Sequence, residues 1–123
     1  MSDGEHIVGR WALQSFKIHF ADGSVEDRIG ARPFGMLIYT PTWMSAHLVP
    51  DGGEKSFFSY CGPWRIEGGL LKHEVRSSDL PGWIGRTLTR EIAWDGDVLV
   101  LTARGVQVGE RTGEGRLRWL RQE

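Results

Sequence analysis

The sequence predicts an all-β protein, a single up-and-down antiparallel β-barrel of about eight to ten strands. Three observations point there. Turn-forming dipeptides recur at Asp22-Gly23, Asp51-Gly52, Gly68-Gly69, Asp95-Gly96 and Thr112-Gly113, and the stretches between them are one or two strands long. Apolar residues nowhere recur at helical spacing over three turns behind a capping signal, which leaves room for at most one short helical turn. Seventeen glycines and six tryptophans in 123 residues fit tight turns between strands that carry wide side-chain layers.

In chain order, strands are expected over 7–20, 24–28, 34–40, 43–49, 57–67, 70–77, 83–94, 98–104 and 114–122. An open sheet of that many strands would leave two long edges and an apolar face with no helix to cover it. Closing the sheet into a barrel removes both problems. Residues 1–123 are read as one domain, with no linker, repeat or low-complexity tract.

Alternation along the strands indicates which side chains enter the barrel. Lys72, Glu74 and Arg76 are charged, so Leu71, His73 and Val75 face inward and His73 is an interior histidine. The same test places Phe58, Tyr60, Trp64 and Ile66 on one face, with Tyr60 and Trp64 lining the interior, and Ser59, Cys61, Arg65 and Glu67 on the other. Leu117 and Trp119 oppose Arg116 and Arg118, which gives Arg121 inward parity at the barrel's end. Segments 34–40 and 83–94 are apolar or mixed on both faces, and alternation does not decide them.

Fifteen basic against sixteen acidic residues leave a formal charge of -1, so neither nucleic acid nor a membrane surface is an expected partner. The single cysteine, Cys61, has no internal disulfide partner, and the start MSDGEH has neither the basic nor the apolar region of an export signal. A cytoplasmic location is expected. No apolar run is long enough for a bilayer-spanning helix.

The stretch Ile7-Val8-Gly9-Arg10-Trp11 opens a series of matches that continues through Asp22-Gly23-Ser24, Pro33-Phe34-Gly35-Met36-Leu37-Ile38-Tyr39-Thr40-Pro41 and Met44-Ser45-Ala46. The series goes on with Tyr60-Cys61-Gly62, Lys72-His73-Glu74-Val75, Pro81-Gly82-Trp83-Ile84-Gly85, Arg90, Asp95-Gly96-Asp97 and Trp119-Leu120-Arg121. In that order the chain resembles the bacterial lipocalin-like domain family, calycin-type β-barrels with a Gly-x-Trp signature on the first strand. The resemblance implies a cavity for a small, largely apolar ligand. It also implies that Trp11 closes one end of the barrel with Arg121 laid across its face, a cation–π contact. One departure is visible: relatives carry a longer, partly helical segment where residues 50–56 stand here, which implies a more open mouth.

No glycine-rich phosphate loop is present, and His6, His19, His47 and His73 lack the close spacing of a zinc site on one element. No cofactor and no metal are expected, although some related barrels bind haem. His73 is the first candidate for acid–base chemistry, with Tyr60, Tyr39, Glu91, Arg90 or the ligand as its hydrogen-bond partner; the competing role is a core histidine held by a backbone carbonyl or water. Arg90 and Glu91 alternate, so one of them points inward, and an interior Arg90 would stabilise an enolate or carboxylate. Cys61 fits a small structural thiol better than a nucleophile. The expected catalytic set is His73, Tyr60 and Arg90. The expected ligand-facing set is Trp64, Trp83, Tyr39, Ser45, Met36 and Phe58, while Trp94 fills core.

Two functions fit. One is a cofactor-free isomerase or cyclase acting on a polyketide- or terpenoid-like intermediate, in which apolar walls fix one conformer and a few polar groups shift a proton. The other is a non-catalytic binder or carrier of such a molecule. An apolar strand face around 34–39 could also support a homodimer.

Overall fold

The structure, a computed structural model, describes residues 2–50 and 58–123. Ten strands form one antiparallel sheet: β1 (Gly9–Phe20), β2 (Val25–Asp27), β3 (Phe34–Tyr39), β4 (Trp43–Val49), β5 (Phe58–Glu67), β6 (Leu70–Glu74), β7 (Ser77–Ser78), β8 (Thr87–Asp95), β9 (Val98–Val108) and β10 (Arg111–Arg121). Eight of them follow one another round a cylinder in the order β1, β3, β4, β5, β6, β8, β9, β10, and β10 pairs back onto β1 to close it. The expected barrel is therefore present. The short β2 and β7 add to β1 and β5 outside this circuit.

Closure needs bends, and two irregularities supply them. Between Leu13 and Ser15 β1 carries an extra residue, Gln14, opposite β10. Inward parity thereby passes from Trp11 and Leu13 to Phe16, Ile18 and Phe20, all buried. On β9 a second shift falls between Ala103 and Val106, where Gly105 adopts a φ of 69°. Simple alternation misses both bends because an extra residue reverses which side chains face in.

Several boundaries differ from those expected. Residues 83–86 are not strand: Pro81–Trp83 forms a 3-10 turn, opened by a proline that has no N–H to give a ladder. The segment 70–77 breaks after Glu74, and Ser77–Ser78 pairs separately with β5. The last hairpin turns between Val108 and Arg111, so Thr112 and Gly113 lie within β10 rather than at a turn. Two helical turns occur rather than one at most, since Asp3–His6 forms a four-residue helix, α1, capped by Ser2. The expected turn at Asp51-Gly52, and the mouth that residues 50–56 were expected to open, lie largely outside the described residues.

One end of the barrel is plugged by α1. Trp11 is fully buried and donates its indole N–H to Ile7 O at 2.9 Å. The Arg121 guanidinium lies 4.2 Å above the Trp11 ring and donates to the carbonyls of His6 and Val8. His6 stacks on Trp94, whose indole N–H donates to Asp3. Gly9 explains the glycine of the Gly-x-Trp signature: its φ is 141°, and a Cβ there would run into the backbone of Glu123 and the guanidinium of Arg121. Among the described residues no helix is long and apolar enough to cross a membrane.

Candidate functional site

Away from the plug the cylinder holds a cavity of about 180 Å³. Sites for drug-sized ligands span roughly 300–1,000 Å³, so this one suits a smaller molecule. Leu37, Ala46, Leu48, Phe58, Leu101 and Leu117 supply most of the apolar wall. Trp83, carried on the 3-10 turn, packs on Phe58 and Tyr60 at ring separations of 5.2 and 5.6 Å and lines one side. The polar lining consists of Arg28, Tyr60, His73, Arg90 and Trp119.

His73 sits at the centre of a buried polar network. Its Nε2 lies 2.7 Å from the hydroxyl of Tyr39 and its Nδ1 lies 2.8 Å from the hydroxyl of Tyr60. All three side chains are at most 5% exposed. Burial, helped by the nearby Arg90 charge, lowers the His73 pKa to about 3, so the ring is neutral at physiological pH. Burial also raises the tyrosine pKa values, which keeps both hydroxyls protonated. A neutral imidazole has one N–H and one lone pair, so one tyrosine accepts and the other donates. With the proton on Nε2, Tyr39 would accept it, and its own hydroxyl proton would be stranded in the core with no other partner among the described residues. With the proton on Nδ1, Tyr39 donates to Nε2, Tyr60 accepts, and the spare proton belongs to Tyr60, which lines the cavity. The second arrangement leaves no buried donor unmet away from the cavity and is the one that burial favours.

This arrangement gives His73 two of the partners expected of it, Tyr39 and Tyr60. Both ring nitrogens are engaged, and burial holds the ring as a neutral imidazole between the two hydroxyls. Its place is behind Tyr60, which it orients.

Arg90 faces inward and Glu91 outward. On β8, Arg90 stands opposite the buried Leu71 of β6 and lines the cavity, while Glu91 pairs with Arg104 on the outer surface. Among the ligand-facing candidates, Phe58 and Trp83 line the cavity, and Tyr39 lies behind His73 rather than on the wall. Three candidates lie elsewhere. Met36 is opposite His47 on the outer face of the β3–β4 ladder. Ser45 shares that outer face, with its hydroxyl 2.9 Å from Nε2 of His47. Trp64 packs edge-on against Tyr39 beside α1 and donates its indole N–H to Thr40 O, so it belongs to the plug. Alternation misleads for Trp64 because the correct face of β5 runs past the cavity into the closed end. Arg28 and Trp119 are cavity residues that the sequence reading did not select. Trp119 had the right parity, but a tryptophan beside the closing Arg121 reads as core; Arg28 lies just after β2 in a connection without alternation.

Among the described residues no group of three or more His, Cys, Asp or Glu side chains is placed to hold a metal ion. Cys61 is a free thiol on the outer face of β5, near Ser45, His47 and Ser59.

A closed eight-stranded antiparallel barrel, plugged at one end by a Trp–Arg pair and hollow beyond it, defines a calycin-type barrel. Residues 8–55 and 53–122 match the lipocalin-like domain family, and the chain belongs to that family. A solved lipocalin-like protein from Bacteroides uniformis is similar in structure, with a TM-score of 0.57 and 14% sequence identity over 94% of this chain and 98% of that one. No curated protein matches the chain. The fold and the apolar cavity are consistent with binding of a small molecule.

Proposed function

We propose that the barrel is a cofactor-free enzyme that binds a small, largely apolar carbonyl compound and catalyses its isomerisation or cyclisation, with Tyr60 donating a hydrogen bond to the carbonyl oxygen. The Tyr39–His73–Tyr60 network carries this reading. A carrier needs only an apolar wall, whereas two buried polar groups, His73 and Tyr39, aligned behind the Tyr60 hydroxyl make a preorganised donor. As electron density moves onto the carbonyl oxygen, Tyr60 stabilises it without giving up its proton, and the Arg90 guanidinium supplies the countercharge. Leu37, Leu48 and Leu101 exclude water and restrict the ligand to one conformer.

A second reading, a non-catalytic binder, is favoured by one observation. No carboxylate lines the cavity among the described residues, and the imidazole is fully engaged, so the wall offers no evident general base. Incubation with a panel of small cyclic enones and open-chain unsaturated ketones, followed by chromatography and mass measurement, separates the two. Catalysis gives a new compound of unchanged mass, formed about 10²-fold more slowly by Tyr60→Phe. Saturable binding with no new compound from any member of the panel supports the binder instead.

A further inference from the structure

We propose that the cavity takes its ligand as an organic anion, a small apolar molecule ending in a carboxylate, and that the indole N–H of Trp119 donates to that end with Arg90 as countercharge. The proposal deepens the reading of this cavity as the ligand site by naming the ligand's class.

The first observation is an unmet donor. Trp119 is 2% exposed, lines the cavity, and its Nε1 has no hydrogen-bond partner. Buried polar groups are rarely left unpaired, and Trp11, the other fully buried tryptophan, donates to Ile7 O. An indole N–H can only donate, so whatever completes it must bring an acceptor.

The second observation is the composition of the wall. The other donors on the wall are the spare proton of Tyr60 and two guanidinium groups, that of Arg90, which also donates to Thr89 O, and that of Arg28, which is paired with Glu26. No Asp, Glu, Ser, Thr, Asn or Gln side chain lines the cavity among the described residues. An alcohol or amine would bring protons with nowhere to go, whereas a carboxylate brings only acceptors and meets a positive wall. Arg90 is half-buried on the inward face of β8, and its charge reaches Tyr39, Tyr60 and His73. An anion in the cavity would pair with that guanidinium, in addition to its bond to Thr89 O.

The test uses cyclohexanecarboxylate, its carboxamide and cyclohexenone as probes, with calorimetry for affinity and ¹⁵N-labelled indole resonances for location. The carboxylate is expected to bind roughly ten- to hundredfold more tightly than the carboxamide. It should also move downfield one indole resonance that is missing from Trp119→Phe. Arg90→Gln should erase the preference for the carboxylate, and this holds as a test even if Trp119→Phe does not fold. Equal or tighter binding of the carboxamide, carboxylate binding that leaves the Trp119 resonance in place, or no carboxylate binding overturns the proposal. Cyclohexenone binding that still depends on Tyr60 in any of those cases leaves the carbonyl-activating reading standing. Carboxylate binding with no turnover of any carbonyl substrate retains the anion and removes the enzyme.

Discussion

The hydroxyl of Tyr60 lies 2.8 Å from Nδ1 of His73, a ring whose other nitrogen is already held by Tyr39. This fixes the histidine as a neutral spacer between two phenols, one in the core and one on the cavity wall.

Acid should therefore loosen the protein well before His73 itself titrates. In the unfolded chain the imidazole takes a proton near pH 6.5, while in the folded chain it does so only at about pH 3. The unfolded state binds more protons between those values, so the contribution of His73 is complete above pH 6.5 and declines as pH falls, by about 1.4 kcal/mol per unit. Denaturant midpoints at pH 7.5, 6 and 5 should fall in that order. The His73 ring resonances of the folded protein should stay constant over the same range; a titration centred near 6.5 would contradict the buried network.

Removing either phenol leaves one ring nitrogen unmet in the core. Tyr39→Phe and Tyr60→Phe should each cost about 1–3 kcal/mol in chemical denaturation. Their effects on chemistry should differ. Tyr60→Phe removes the donor itself, whereas Tyr39→Phe removes only its orienting partner, so the loss of turnover should be clearly larger for Tyr60→Phe. Equal losses in the two variants would point to a collapse of the network rather than a donor role.

Ala46 is buried and lines the cavity, with open space in front of its methyl group. Ala46→Leu should fill that space, cost at most about 1–3 kcal/mol of stability and abolish binding of a ring-sized ligand. Retained affinity in this variant, measured by calorimetry, would place the ligand outside the barrel.

Gly9→Ala tests the plugged end. A methyl group there meets the Glu123 backbone and forces a residue with a side chain to a φ of 141°, so a loss of about 2–4 kcal/mol is expected. Arg121→Ala removes the contact over Trp11 and the donors to His6 and Val8, and should cost about 1–2 kcal/mol. Thermal melts check both, and an unchanged melting temperature in both would remove the plug as a stabilising device.

Barrel closure was legible from turn spacing and the absence of helical periodicity, because both are local properties of a chain built from hairpins. The inward set Leu71, His73 and Val75 was legible for the same reason, since charged neighbours alternate with it without interruption. What alternation could not reach was height along the barrel axis. Trp64 and Tyr60 share a face of β5, yet one meets the plug and the other the cavity. Nor could it reveal that both nitrogens of His73 are occupied, since Tyr39 and Tyr60 reach it from β3 and β5 and their convergence depends on register across the four strands from β3 to β6.

The seam between β1 and β10 has a kinetic consequence. The hairpins along the sheet can zip from neighbouring segments, but this ladder joins residues such as Trp11 and Arg121 from opposite extremes of the sequence. Its loop-closure cost must be met before its contacts give anything back, so the seam should be among the last parts to form and should slow folding as a whole. Until it shuts, Trp11 lacks its covering guanidinium and the hollow is an open trough, which makes the ligand chamber the final product of folding.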